Sequence, residues 1–98
     1  MKMKIVFAAL SDKNVADMAA AMGPLTDVWY LAGLALERGL SAADLRERMG
    51  LSGGTAMVRV SVDVRSALQL ARSEASEFDR IVVCGSFHTV AVALAVLG

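Results

Sequence analysis

The sequence predicts an α/β protein: a three-layer, mainly parallel open sheet of about four strands with helices on both faces. Short apolar runs rich in β-branched residues alternate along the chain with segments whose apolar residues recur at helical spacing. The runs at residues 5–10 and 81–84 are apolar at every position, the pattern of strands covered on both faces. Strands that alternate with helices pair in parallel through right-handed crossovers. Residues 1–98 contain no repeat, low-complexity tract or linker, so they read as a single domain.

The first run, Ile5-Val6-Phe7-Ala8-Ala9-Leu10, predicts a central strand. Ser11-Asp12-Lys13-Asn14 supplies turn and N-cap chemistry, and Val15, Met18, Ala19 and Met22 follow at helical spacing until Gly23-Pro24 stops the helix. Residues 28–32 form a short strand, followed by an irregular stretch through Gly33 and Gly39. Ser41 with Asp44 three residues on resembles a capping box with a shorter acid, and starts a helix over about 42–49. Gly50 and Ser52-Gly53-Gly54 form a flexible connection to a strand at 57–60. Ser61 is then expected to cap a longer amphipathic helix, with Val64, Leu68 and Ala71 inward and Asp63, Arg65, Arg72 and Glu74 outward. Residues 80–84 form the last strand, 85–89 a turn and 90–97 the final helix.

Composition bounds the function. Ten Lys plus Arg balance ten Asp plus Glu, and 56% of the 98 residues are apolar. A chain with this balance buries a core but lacks the positive field that nucleic acids and membrane surfaces attract, so neither is expected as a partner. Residues 81–98 carry no formal charge. Gly85, Ser86, His88 and Thr89 nonetheless divide that stretch into a strand and a helix, each too short to span a membrane. Cys84 has no second cysteine to bridge, which points to the reducing cytoplasm.

Ligands of open parallel sheets bind at the carboxyl ends of the strands, and two loops there carry chemistry. Gly85-Ser86-Phe87-His88-Thr89 joins a strand to a helix, so its free amides, with the Ser86 and Thr89 hydroxyls, suit a carboxylate or phosphate. The same residues equally fit a turn in which Thr89 caps its own helix and Ser86 closes the loop. In the other loop, Asp12 suits an amine and Lys13 an anion, while an N-cap with solvated charges accounts for the same residues. His88 stands alone, without a carboxylate nearby in sequence, and reads as a packed neutral ring as well as a ligand. Cys84 lacks the arginine that closes a phosphatase loop, since Val90 stands in its place, and reads as an inert thiol. Trp29 and Tyr30 read as packing, with one donor at a polar edge. No G-x-x-x-x-G-K-[ST] loop, G-x-G-x-x-G fingerprint, G-x-S-x-G elbow or metal-spaced His/Cys set occurs.

Three blocks carry a resemblance: residues 7–16 (Phe-Ala-Ala-Leu-Ser-Asp-Lys-Asn-Val-Ala), Trp29-Tyr30-Leu31-Ala32 and Cys84-Gly85-Ser86-Phe87-His88-Thr89-Val90-Ala91. Their order and spacing are similar to the C-terminal domain of the folylpolyglutamate synthase/dihydrofolate synthase family, relatives of the muramyl-peptide ligases. The resemblance implies an ATP-dependent amide ligase that joins glutamate to folate or dihydropteroate through an acyl phosphate. It assigns the P-loop and magnesium ligands to an N-terminal domain, a partner of this one, so this chain alone is expected to bind neither ATP nor magnesium. Ser86 matches a serine facing the glutamate, Asp12, Lys13 and His88 match positions near the interdomain cleft, and Arg38 falls where the family carries an arginine. Asn14 replaces a second aspartate.

The family domain opens with a strand and helix bearing Asp-x-x-His-Asn-Pro, and this sequence starts after that unit. The expectation is a fragment or truncated product, inactive alone, that forms a homodimer by self-association because a lost strand uncovers ladder groups and apolar surface. The competing readings are a stand-alone module binding a small carboxylate or phosphate at residues 85–89, and an interaction domain that docks on a ligase partner.

Overall fold

A computed structural model describes residues 2–51, 57–85 and 87–97, apart from the side chains of Phe87, His88, Ala93, Val96 and Leu97. The strands are β1 (Met3–Ala8), β2 (Val28–Ala32), β3 (Met57–Ser61) and β4 (Arg80–Gly85). The helices are α1 (Val15–Met22), α2 (Ala42–Arg48), α3 (Val64–Glu74) and α4 (Phe87–Leu97), with a short 3-10 turn at Gly23–Leu25. Among the described residues these four strands pair in parallel, in the order β3-β2-β1-β4. β1 is central, as its unbroken apolar run requires.

Period-two alternation splits the core into two layers. Val6 and Ala8 of β1 and Val28, Tyr30 and Ala32 of β2 face α3, with Val64, Ala67, Leu68 and Ala71 against them. Ile5, Phe7, Trp29 and Leu31 face the opposite way, where Val15 and Ala19 of α1 and Leu45 of α2 cover them. Trp29 meets Phe7 edge to face, with ring centroids 6.3 Å apart. Helices therefore lie on both faces, as expected of a parallel sheet.

Two of the expected caps form. Asn14 Oδ1 accepts from the Asp17 amide at 3.2 Å and Ser41 Oγ from the Asp44 amide at 3.1 Å. The third is corrected: Ser61 ends β3, and Asp63 caps α3 by accepting from the Ser66 amide at 2.8 Å. The final helix also starts earlier than expected, at Phe87.

β1 begins two residues before the expected position because Lys4 lies inside it. The buried Lys4 ammonium is 3.0 Å from the Tyr30 hydroxyl and 4.0 Å from Asp79 Oδ2. Tyr30 in turn donates to Glu74 Oε1 at 2.8 Å, and Arg59 Nε stands 3.5 Å from the same oxygen. The network ties β1, β2 and β3 to the end of α3. Next to it, the Met3 amide donates to Asp27 and the Lys2 amide to Asp79, at 2.6 and 3.0 Å.

Two outcomes follow from this end of the sheet. Tyr30→Phe leaves Lys4 and Glu74 without the shared phenol, and denaturant unfolding should show a loss of about 1.5–3 kcal/mol; an unchanged midpoint would refute the link. The amides of Ser66, and of Ser76 and Lys2, hold Asp63 and Asp79 respectively below the usual carboxylate range. A carboxylate lowered in the folded state stabilises above its unfolded pKa, and that stability disappears as pH falls through the folded value. Stability should therefore decline as pH drops from about 5 towards 3, and Asp79→Asn should flatten the decline in a urea midpoint series.

Candidate functional site

The strand order places a crevice at one defined point. The chain leaves β1 for β2 on one side and returns to β4 on the other, and α1 and α4 follow their strands on opposite faces. A notch opens where such connections diverge, outside the carboxyl ends of the two strands. By this topology the turn at residues 11–14 follows β1 and Gly85 ends β4 on either side of that point.

The β4 side is fixed by close approach. Gly85 has φ +121°, and a Cβ there would collide with the carbonyl oxygen of Ala8, its register partner in β1. Only glycine lets β4 run alongside β1 to its end. Thr89 lies one turn into α4, is 0% exposed and donates from Oγ1 to the same Ala8 carbonyl at 3.3 Å. Thr89 thus faces β1 from within the helix, which corrects its expected place in an open turn. The His88 backbone belongs to the first turn of α4. The Ser86 expectation, like the side chain of His88, lies outside the described residues.

On the β1 side, Asp12 and Lys13 are exposed at the tip of the turn. Asn14 is committed to its cap, with Nδ2 also donating to Asp17 Oδ2 at 2.8 Å. The structure brings Arg38 to the same turn. Its carbonyl accepts from the Ser11 amide at 2.6 Å, Gly39 bridges Leu10, and the Leu40 amide donates to Ala9 at 3.1 Å. Arg38 is held at φ 64°, a left-handed backbone that costs a non-glycine residue about 1–2 kcal/mol. The fold employs its backbone while its side chain stays exposed. Arg48, which sequence reasoning missed, donates from a guanidinium nitrogen to the Ser11 carbonyl at 2.8 Å. Its place in the last turn of a short helix gave no local signal for that long-range contact.

Cys84, just before Gly85, has its thiol pKa pushed up by burial and its Sγ 4.0 Å from Met22 Sδ, which makes it a packing group. A second concavity of about 370 Å³ lies further along the same edge, lined by residues 33–36, 63–65 and Val92. Arg65 and Asp63 are the charged groups there, and neither was singled out for this role by the sequence. Among the described residues no group of three His, Cys, Asp or Glu side chains is placed to hold a metal ion. No helix among them is long and apolar enough to cross a membrane.

The fold defines a parallel α/β domain whose 11–14 turn, Arg38 loop and Gly85 strand end lie along one sheet edge. The chain belongs to the Mur ligase, glutamate ligase domain family, whose model matches residues 2–87. The dihydrofolate synthase/folylpolyglutamate synthase of Escherichia coli K12 is 36% identical over 92 residues, 94% of this chain and 20% of that protein. Among solved structures, the E. coli enzyme in complex with DHPP and ADP superposes with a TM-score of 0.87 at 33% identity, covering 99% of this chain and 22% of that one. The Yersinia pestis bifunctional enzyme with Mn, AMPPNP and L-glutamate bound gives 0.82 at 37% identity, covering 98% and 22%. The resemblance to folylpolyglutamate synthase/dihydrofolate synthase and the expected fold class are both borne out. The chain spans about a fifth of the length of these relatives.

Gly85→Ala provides a test of the crevice. The Cβ collision and the positive φ should cost about 2–3 kcal/mol, and amide NMR should place the disturbance at Ala8, Thr89 and the 11–14 turn. Full stability in thermal unfolding would mean that β4 does not approach β1 as described.

Proposed function

We propose that this chain is the glutamate-side domain of an ATP-dependent ligase that adds glutamate to folate or dihydropteroate in the cytoplasm. One observation carries the reading: the turn holding Asp12 and Lys13, the loop holding Arg38 and the Gly85 junction meet at the carboxyl ends of neighbouring strands. Glutamate presents two carboxylates and an amine, and this edge offers complementary groups. Lys13 and Arg38 pair with carboxylate oxygens. Asp12 holds the ammonium until it gives up its proton. Gly85 and Ser86 contribute amide and hydroxyl donors, and His88 belongs to the first turn of α4. Thr89 keeps that turn in place from its buried position.

In such an enzyme ATP, with its magnesium, supplies the activation of the folate or dihydropteroate carboxylate. The residues present here do not fit that role, since the sequence has no P-loop and the described residues provide no metal cluster. That part of the work falls to a partner domain of the P-loop type, and this chain orients the glutamate amine towards the activated carbonyl. Without that partner domain, the chain self-associates and has no ligase activity.

Titration of L-glutamate into the ¹⁵N-labelled chain tests the reading. Saturable amide shifts are expected at Asp12, Lys13, Gly85 and Ser86, with affinity about tenfold weaker in Ser86→Ala, as for loss of a hydrogen bond to a charged group. No shifts at millimolar glutamate would favour a domain that only docks on its partner.

A further inference from the structure

The turn after β1 closes with the Lys13 amide donating to the Leu10 carbonyl at 3.2 Å, so Ser11 and Asp12 are its central residues. Backbone bonds tie the peptides on either side: the Ser11 amide donates to the Arg38 carbonyl at 2.6 Å, and the Leu10 carbonyl takes the Lys13 amide. The peptide between them, Ser11–Asp12, takes part in neither bond. Such a central peptide can turn over while the closing bond stays in place, and that flip separates one common turn type from another. Turning over would reverse the Ser11 carbonyl and the Asp12 amide together, because a trans peptide points them in opposite directions. It would also give Asp12 a positive φ, which aspartate tolerates better than most residues. Asp12 here has negative φ.

We infer that Arg48 holds this peptide in its present orientation and is thereby a positioning residue for glutamate. This role rests on the glutamate binding proposed above and adds a residue to that site. The Arg48 guanidinium donates to the Ser11 carbonyl at 2.8 Å, and that oxygen is the one a flip would carry away. The base from which it reaches is fixed. Leu45 within α2 and Met49 at its end are buried in the core layer of Trp29 and Leu31. A charged donor also makes a stronger bond than a neutral one.

The consequence falls on the side chains proposed to meet the ligand. Asp12 belongs to the restrained peptide and Lys13 follows it, and both side chains are exposed. Released from Arg48, the turn divides between two forms that aim the Asp12 carboxylate differently. Affinity falls with the fraction of chains in the competent form, so a turn flipped for four-fifths of the time, on the order of what one lost bond permits, binds about fivefold more weakly. The fold depends little on the contact, since Arg48 is exposed and the backbone bonds of Leu10 and Arg38 remain without it.

Amide NMR of the ¹⁵N-labelled chain, with L-glutamate as the probe, tests this role in Arg48→Met and Arg48→Lys. Arg48→Met should shift the Asp12 amide and its backbone coupling constant in the free chain. It should weaken glutamate binding about fivefold and leave the thermal midpoint in place. Arg48→Lys keeps a charged donor on a long side chain and should restore most of the affinity and of the Asp12 signal. Unchanged affinity in Arg48→Met would overturn the positioning role and leave the glutamate reading intact. Weaker binding with the Asp12 amide unmoved would make Arg48 a direct ligand contact, which overturns the positioning role as well. A wild-type chain without glutamate shifts would overturn both readings.

Discussion

The carbonyl of Ala8 is where the structure is most constrained. Gly85 lies so close to it that any side chain would collide, and the Thr89 hydroxyl bonds to it from the first turns of α4. These contacts bring the ends of β1 and β4 level, so the loops that follow them start from one line. With a bulkier residue at 85, β4 would have to part from β1 before its end. The crevice would then widen, and α4 would lose the anchor that aims its first turn. Local backbone geometry at one glycine thus governs the spacing of every group along that edge.

The opposite end of the sheet is built from charges that have found partners. Lys4, Tyr30, Glu74 and Arg59 form a chain across three strands and a helix, and Asp27 and Asp79 receive the amides at the start of β1. Breaking such a set leaves a buried charge unpaired, so its members act together. The phenol of Tyr30 holds the Glu74 carboxyl below its usual range, and burial pushes the phenol itself up. Both shifts keep Glu74 ionised and Tyr30 protonated, the states the hydrogen bond requires. Cations at the carboxyl end are arranged differently: Lys13 and Arg38 extend into solvent at the tips of loops. One end uses its charges to hold the sheet together, while at the other Arg48 bonds the 11–14 turn and Lys13 and Arg38 remain exposed.

This division explains what could be read from the sequence. The α1 and α2 caps are local, three residues from acceptor to amide, and so are visible as Asn14 with Asp17 and Ser41 with Asp44. The α3 cap is expected at Ser61, which the sheet takes instead, and Asp63 caps the helix through Ser66 at the same three-residue spacing. The strand is expected only from Ile5, and Lys4 joins it because partners 26 and 75 positions away, Tyr30 and Asp79, compensate its burial. The site is split in the same manner. The 85–89 block announced itself by composition and resemblance, yet the burial of Thr89 depends on β1, 81 residues distant. Arg38 entered by resemblance alone. Its placement beside the 11–14 turn depends on backbone bonds to Ser11 and Ala9 that no periodicity encodes.

The residues of the crevice therefore differ in what a substitution there can reveal. Gly85 and Thr89 position the strand end and helix as well as any ligand, so changing either alters the fold and the site together. Lys13 and Arg38 enter the fold through backbone groups: the Lys13 amide donates to Leu10, its carbonyl accepts from Val15, and the Arg38 carbonyl accepts from Ser11. Their exposed side chains can be shortened while those bonds remain. Truncation at Lys13 or Arg38 consequently tests the proposed recognition of an acidic ligand without altering the architecture around it. Surface charges of this sort contribute little to stability by themselves, so a change in binding on their truncation would report on the side chains and not on the fold.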